Sequence, residues 1–166
     1  MNVTITNSLS LRLYYGSYSK LAKGSTRNDV TTGTLSFADS RALRNAIRKL
    51  QDFDFQEATD TQIQEKLNAF ASAMNNTLSS AKSYGTNDTS VKNAVNKIKT
   101  LNNEYASDLK KIGITVNKDG TMSVYENAAT NYSAKRFDNF FDKDSSYLNS
   151  IYDAAKRINR KVDIML

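Results

Sequence analysis

Residues 61–84 read TQIQEKLNAFASAMNNTLSSAKSY, and residues 85–113 continue as GTNDTSVKNAVNKIKTLNNEYASDLKKIG. In the first stretch Ile63, Leu67, Phe70, Met74, Thr77, Ala81 and Tyr84 recur at alternating intervals of four and three, which places them on one stripe of a helix. Gly85 follows at once, where a left-handed closing residue is wanted. In the second, Val91, Ala94, Val95, Ile98, Leu101, Tyr105, Leu109 and Ile112 form another face on a helix from Asp88–Ser90 to Gly113, roughly 35 Å long. Strict heptads would place Asp108 in that seam, but the apolar residue is Leu109. The period is therefore nearer 3.6 than 3.5, which suits a compact bundle rather than a long supercoil. The short turn between the two stretches predicts an antiparallel helical hairpin.

Working outward, Ser36 and Asp39 predict the start of an earlier helix, Ser36 as cap and Asp39 against the positive end of the dipole. Leu43, Ala46, Ile47 and Leu50 are its inner face, while Arg41, Arg44, Arg48 and Lys49 decorate the outside. Asp52-Phe53-Asp54-Phe55 ends it. Beyond Gly113, Ile114 and Val116 alternate, Asn117-Lys118-Asp119-Gly120 turns, and Met122 and Val124 alternate again, the pattern of a β-hairpin at 113–125. A short helix is expected within 126–141. A last one, from about Ser145 to Ile164, sets Leu148, Ile151, Ala155, Ile158, Val162 and Met165 on a strict heptad seam that wants a partner, in the bundle or in another copy.

Residues 1–35 form a separate expectation. Val3, Ile5, Leu9, Leu11, Leu13 and Tyr15 alternate as in a half-buried strand, although Leu9, Leu13, Leu21, Tyr14 and Tyr18 also fit a helical face. We take 3–15 as a strand or adaptable segment and the Ser/Thr/Gly/Asn-rich 22–34 as a linker. The fold class is thus mainly α. An antiparallel helical bundle with a short β-hairpin and a C-terminal heptad helix occupies a single domain over 36–166.

The 166 residues include no Cys, His, Trp or Pro. Disulfides, thiol nucleophiles, soft-ligand metal sites and the histidine base are thereby excluded. Asp52/Asp54 and Asp142/Asp144 are the closest carboxylate pairs, and neither makes an acid–base pair to bet on. An EF-hand read from Asp142 has Tyr147 where Gly is needed and Asp153 where Glu is needed. The glycines form no phosphate-binding loop. The sequence therefore implies no enzyme, no cofactor and no metal. It contains no apolar run of membrane-span length and no apolar region after Met1 of the secretory kind.

The net charge is +6, and the excess is terminal. Arg12, Lys20, Lys23 and Arg27 face only Asp29, and Lys156, Arg157, Arg160 and Lys161 face only Asp163, whereas residues 34–153 are balanced. Basic ends on a neutral body read as arms that dock on an acidic partner, and they argue against a dedicated nucleic-acid domain. The alternative is a nucleic-acid-associated accessory protein using those same terminal segments.

The stretch Leu109-Lys110-Lys111-Ile112-Gly113-Ile114-Thr115-Val116-Asn117-Lys118-Asp119-Gly120-Thr121-Met122-Ser123-Val124 resembles the C-terminal region of the bacterial flagellar filament-capping, or hook-associated protein 2, family. There a helix ends in Leu-x-x-Ile-Gly-Ile and passes through a few polar residues to Asp-Gly-Thr-Leu and another apolar residue. Leu109, Ile112, Gly113, Ile114, Asp119, Gly120 and Met122 carry the likeness. The helix over Phe70–Asn75 is similar to the Phe-Val-x-x-Tyr-Asn helix preceding that motif, and Phe140-Phe141 is similar to the Leu-Phe following it. The likeness covers 36–166 and is strongest over 101–124. Flagellar axial proteins also tend to lack Cys and Trp, are rich in Asn, Ser and Thr, and leave the cell without a cleaved signal. The resemblance implies a non-catalytic structural or assembly role through self-association or docking. Its partner would be another copy or a helical protein, flagellar axial components among them. Its location would be extracellular and flagellum-associated; without the resemblance it would be cytoplasmic. Family members are longer and carry an N-terminal coiled coil, whereas residues 1–35 show no heptad.

Overall fold

The computed structural model describes residues 9–162. In chain order they form α1 (Leu9–Tyr15), α2 (Thr32–Gln51), α3 (Asp60–Tyr84), α4 (Thr89–Glu104), α5 (Ala106–Lys110), β1 (Ile114–Val116), β2 (Met122–Val124), α6 (Ala128–Asn131), α7 (Ala134–Phe140) and α8 (Ser146–Lys161). The fold is a mainly α bundle with one short antiparallel hairpin, as the periodicity predicts. Helix α3 is its spine. Thr59 Oγ1 accepts from the Gln62 amide at 3.1 Å and Gln62 Oε1 from the Thr59 amide at 2.9 Å, a reciprocal cap that starts the helix where the apolar stripe begins. Ile63, Leu67, Phe70, Met74, Thr77 and Ala81 are buried, with α2 as the most extensive neighbour.

Gly85 is a correction. It closes α3 with φ −66°, a right-handed conformation, and leads into a 3-10 turn over Gly85–Asn87. What demands glycine there is space, because a Cβ would lie 3.1 Å from the Lys92 backbone. The third predicted helix is also interrupted. Tyr105 (φ −98°, ψ 14°) breaks it into α4 and α5, and beyond the break Leu109 and Ile112 are still buried. The predicted short helix in 126–141 is likewise two, α6 and α7, with an extended Tyr132 between them.

The N-terminal segment departs furthest from its expectation. Residues 9–15 form a helix instead of a strand, a 3-10 turn over Gly16–Leu21 follows, and a second over Ser25–Asp29 lies within the expected linker. Leu11, Tyr14, Tyr15, Leu21 and Ala22 belong to the same core as α2, α3 and α8. Leu9 and Leu13 point outward. The expected domain boundary at 35/36 falls inside α2, which starts at Thr32 with Thr31 as its cap, the Thr34 amide donating to its hydroxyl at 3.2 Å. Ser36 and Asp39 are therefore not cap residues; both are buried. Val3, Ile5 and Met165 lie outside the described residues.

Helix α8 fills the groove between α2 and α4. Leu148, Ile151, Ala155 and Ile158 are fully buried and Val162 nearly so, so the described positions of the heptad seam find their partners inside the chain and not on another copy. Phe55, Phe137 and Phe141 stack beneath it with centroids 5.5–5.7 Å apart from Phe55. Replacing Ile151 or Ile158 by Ala should cost about 2–5 kcal/mol in urea melts. Gly113 holds a left-handed φ of 84°, and a Cβ there would meet the Ala128 Cβ at 2.6 Å. Gly113→Ala should therefore cost at least about 2 kcal/mol, read in the same melts.

Candidate functional site

Between Ser40 and Gln51 the outer face of α2 carries Arg41, Arg44, Arg48 and Lys49 and no acid. Helix α8 runs antiparallel beside it. Asn159 Nδ2 donates to the Phe37 carbonyl at 2.9 Å, and Gln51 Nε2, at the other end of α2, donates to the Asp142 carbonyl at 3.1 Å. Arg44 bridges the two helices, reaching Asn159 Oδ1 at 2.9 Å and the Tyr152 hydroxyl at 3.3 Å. Its Nε is buried with no hydrogen-bond partner. The Arg48 guanidinium lies 3.9 Å from the Tyr152 ring centroid and that of Arg44 5.1 Å, so the ring is occupied by cations of its own chain. The Arg44 hydrogen bond holds the Tyr152 phenol below its ordinary pKa against the opposing effect of burial, and Arg48 adds to the lowering.

One and two turns beyond Tyr152 come Lys156 and Arg160, both exposed. Asp153 belongs to the other side of α8, where it shares a shallow cavity with Lys97 and Arg157. Arg41, Arg44, Arg48, Lys49, Lys156 and Arg160 thus make a strip free of acids. Two of the six, Lys156 and Arg160, come from the basic C-terminal run, and the fold sets them beside the four cations of α2.

The most chemical-looking cluster is a buried one. Asp39 is wholly buried, yet each carboxylate oxygen is answered twice. Tyr15 donates its hydroxyl to Oδ1 at 2.6 Å and Ser80 donates to Oδ2 at 2.6 Å. Arg27 donates to both oxygens at 2.8 Å in a forked pair. Asn76 Nδ2 in turn donates to the Tyr15 hydroxyl at 2.9 Å. Burial, and next Asp39, push the Tyr15 phenol well above its ordinary pKa, and the hydrogen bond to Asp39 raises Arg27 as well. Buried and with each oxygen accepting two hydrogen bonds, this carboxylate is a tie between the N-terminal segment and the bundle. Arg27 is consequently no free arm. Arg12 and Lys20 are exposed, Lys23 half-buried.

The residues of the Leu109–Val124 stretch come together as a clasp. Leu109, Ile112, Ile114 and Met122 are buried. The turn is closed by Gly120 N to the Asn117 carbonyl at 2.9 Å and Asn117 N to the Thr121 carbonyl at 2.8 Å. Asp119 Oδ1 accepts from the Thr121 hydroxyl at 2.6 Å and amide at 3.0 Å, and these bonds lower its pKa. Two asparagines seat the hairpin. The Asn75 amide pairs with the outward-facing Met122 backbone, donating at 2.8 Å and accepting at 2.7 Å. Asn102, fully buried, donates to the Gly120 carbonyl at 2.9 Å and accepts from the Tyr147 hydroxyl at 2.7 Å. Neither Asn102 nor Tyr147 stands out in the sequence.

The carboxylate pairs hold turns: Asp54 Oδ1 accepts from the Gln56 and Glu57 amides at 3.1 and 3.2 Å, and Asp142 Oδ1 from the Asp144 amide at 2.7 Å. A cavity of about 540 Å³ opens beside α5 and α7, with Tyr105, Phe140 and Tyr147 in its wall and the exposed Asp108–Lys111 pair, 3.4 Å apart, among its lining. Among the described residues no group of three acidic, His or Cys side chains could hold a metal, and no helix is long and apolar enough to cross a membrane. Comparison with protein-family models, curated proteins and solved structures yields no match. The likeness to the capping proteins rests on the residues quoted for it.

Arg27→Ala would leave a buried carboxylate short of its cation and should cost about 3–5 kcal/mol in urea melts, with new proteolytic cleavage within residues 9–31. Tyr14, Tyr15 and Tyr147 are all held above the ordinary phenol range, in each case chiefly by burial. In the unfolded chain they ionise near pH 10, so above that the folded state binds more protons. Their contribution is intact below pH ~10 and falls by about 1.4 kcal/mol per pH unit for each of them as the pH rises further. Alkaline melts should steepen accordingly, and tyrosinate absorbance should show these three of the nine tyrosines ionising only with unfolding.

Proposed function

We propose that this chain is a non-catalytic assembly protein that docks on an acidic partner through the face of α2 and α8, a structural role of the kind the flagellar capping family's C-terminal region implies. The observation that carries the reading is the strip itself. Six cations line it without an intervening acid, four of them arginines whose planar forks suit carboxylate and phosphate alike. An acid-free row of this kind raises the encounter rate with a negative surface and favours orientation over raw affinity. The helix–glycine–hairpin of 109–124 supports the family side of the proposal, since its clasp makes it a rigid piece of the body. On that side the protein would work outside the cell, among flagellar axial components.

The row of arginines also suits a nucleic-acid backbone, the second reading. Against base stacking stands Tyr152, whose ring is already engaged by Arg44 and Arg48.

Fluorescence anisotropy with labelled poly-L-glutamate and with a 20-base-pair duplex, over a salt series, separates the two. Poly-glutamate should bind wild type and lose at least tenfold in affinity with Arg41→Glu/Lys156→Glu/Arg160→Glu. Preference for the duplex, with affinity falling by a log–log slope near −0.9 per phosphate neutralised, would establish the nucleic-acid reading instead. Binding of neither probe would remove the docking role.

A further inference from the structure

One turn past Lys49, where α2 ends, the surface changes from basic to acidic. Asp52, Asp54, Glu57 and Asp60 fall within nine residues that contain no basic side chain, and all four are exposed. The loop before α8 adds to them. Gln56 Nε2 donates to Asp138 Oδ2 at 2.7 Å and Gln51 to the Asp142 carbonyl at 3.1 Å, which brings exposed Asp142 and Asp144 to the same pole. Lys143 stands 3.1 Å from Asp52, and Lys66 lies over the Phe53 ring, but the acids outnumber the cations there. Helix α8 joins the two poles. It starts beside Asp142 and Asp144 and ends past Lys156 and Arg160, roughly 24 Å away along its axis. Arg48 and Lys49, one turn from Asp52, offset part of the acidic field, whereas Arg41 stands roughly 16 Å from Asp52 along α2, beyond a Debye length at physiological salt, so Arg41, Lys156 and Arg160 form the separated basic end.

We propose that the partner on the basic strip is a second copy of this chain, which presents its acidic pole, so that copies associate head to tail. This rests on the docking reading above and names its occupant. The contact is heterologous: a copy engaged through its strip still exposes its acidic pole, and one engaged through the pole still exposes its strip. Charge complementarity sets the pairing. The heptad seam takes no part, being buried within each copy. The contact is therefore electrostatic and open to salt, unlike an apolar seam, which salt would strengthen.

The test is light scattering on the full chain across a concentration series at 20 mM and 500 mM salt, with two charge-reversed variants. One carries Arg41→Glu, Lys156→Glu and Arg160→Glu; the other carries Asp52→Lys, Glu57→Lys and Asp144→Lys. All six positions are exposed, and thermal melts establish that each variant folds. Wild type should grow in mass with concentration at low salt and return to monomer at high salt. Each variant alone should remain monomeric at both, while an equimolar mixture should regain the wild-type rise, because each contributes one unaltered face to the other. A wild type monomeric at low salt, or a mixture as monomeric as its components, overturns the proposal. If poly-glutamate still binds in that case, the docking reading survives and only the second copy is ruled out. Loss of both removes the two together.

Discussion

One buried carboxylate is the centre of the polar network that ties the N-terminal segment of this molecule to the rest. Asp39 sits inside α2 with no exposure at all, a placement that would be costly without partners. Its partners come from three other places in the chain: Tyr15 at the end of α1, Arg27 in the following 3-10 turn, and Ser80 on α3. Because all three must converge, residues 9–31 cannot remain an arm. They wrap the bundle, and the core gains Leu11, Tyr14, Tyr15, Leu21 and Ala22.

The hairpin is seated by a similar device with amides in place of charges. Two strands of three residues each bury little surface, so a hairpin of this size is marginal by itself. Asn75 completes the backbone of Met122 as a third strand would, and Asn102 links the turn at Gly120 to Tyr147 on α8. Residues Asn75 of α3 and Asn102 of α4 are thereby brought to one level by the same hairpin. The interior thus carries two satisfied polar networks within an apolar core, and both order segments that are distant in sequence.

The surface shows what the body's charge balance conceals. Equal numbers of acids and bases between residues 34 and 153 leave no net field from a distance, yet the outside of α2 is wholly basic and the loop that follows it wholly acidic. Helix α2 sets Arg41 roughly 16 Å from Asp52, while Arg48 and Lys49 adjoin the Asp52–Asp60 loop, so the charge is segregated between the far end of α2 and that loop. Docking α8 alongside then adds Lys156 and Arg160 to the basic face. The proposed docking role rests on that geometry and not on loose terminal arms, since Arg27 is engaged within the fold.

Periodicity and turn chemistry were enough to determine the helices over 60–84 and 146–161, the hairpin, and which face of each turns inward. These depend on contacts a few residues apart, and the apolar stripe reports them directly. Ser36 and Asp39 misled at the start of α2 because polar residues mark helix ends when exposed. Only long-range partners such as Arg27 and Ser80 make them core residues. The same limit hid the helical state of residues 9–15, whose alternating Leu and Tyr pattern fits either period until Asp39 and α3 are placed against it. Whether Leu148, Ile151 and Ile158 would join two copies or close one core was likewise open in the sequence. The tertiary structure decided it, since α8 packs between α2 and α4 and its described seam residues, Leu148, Ile151, Ala155, Ile158 and Val162, are buried there.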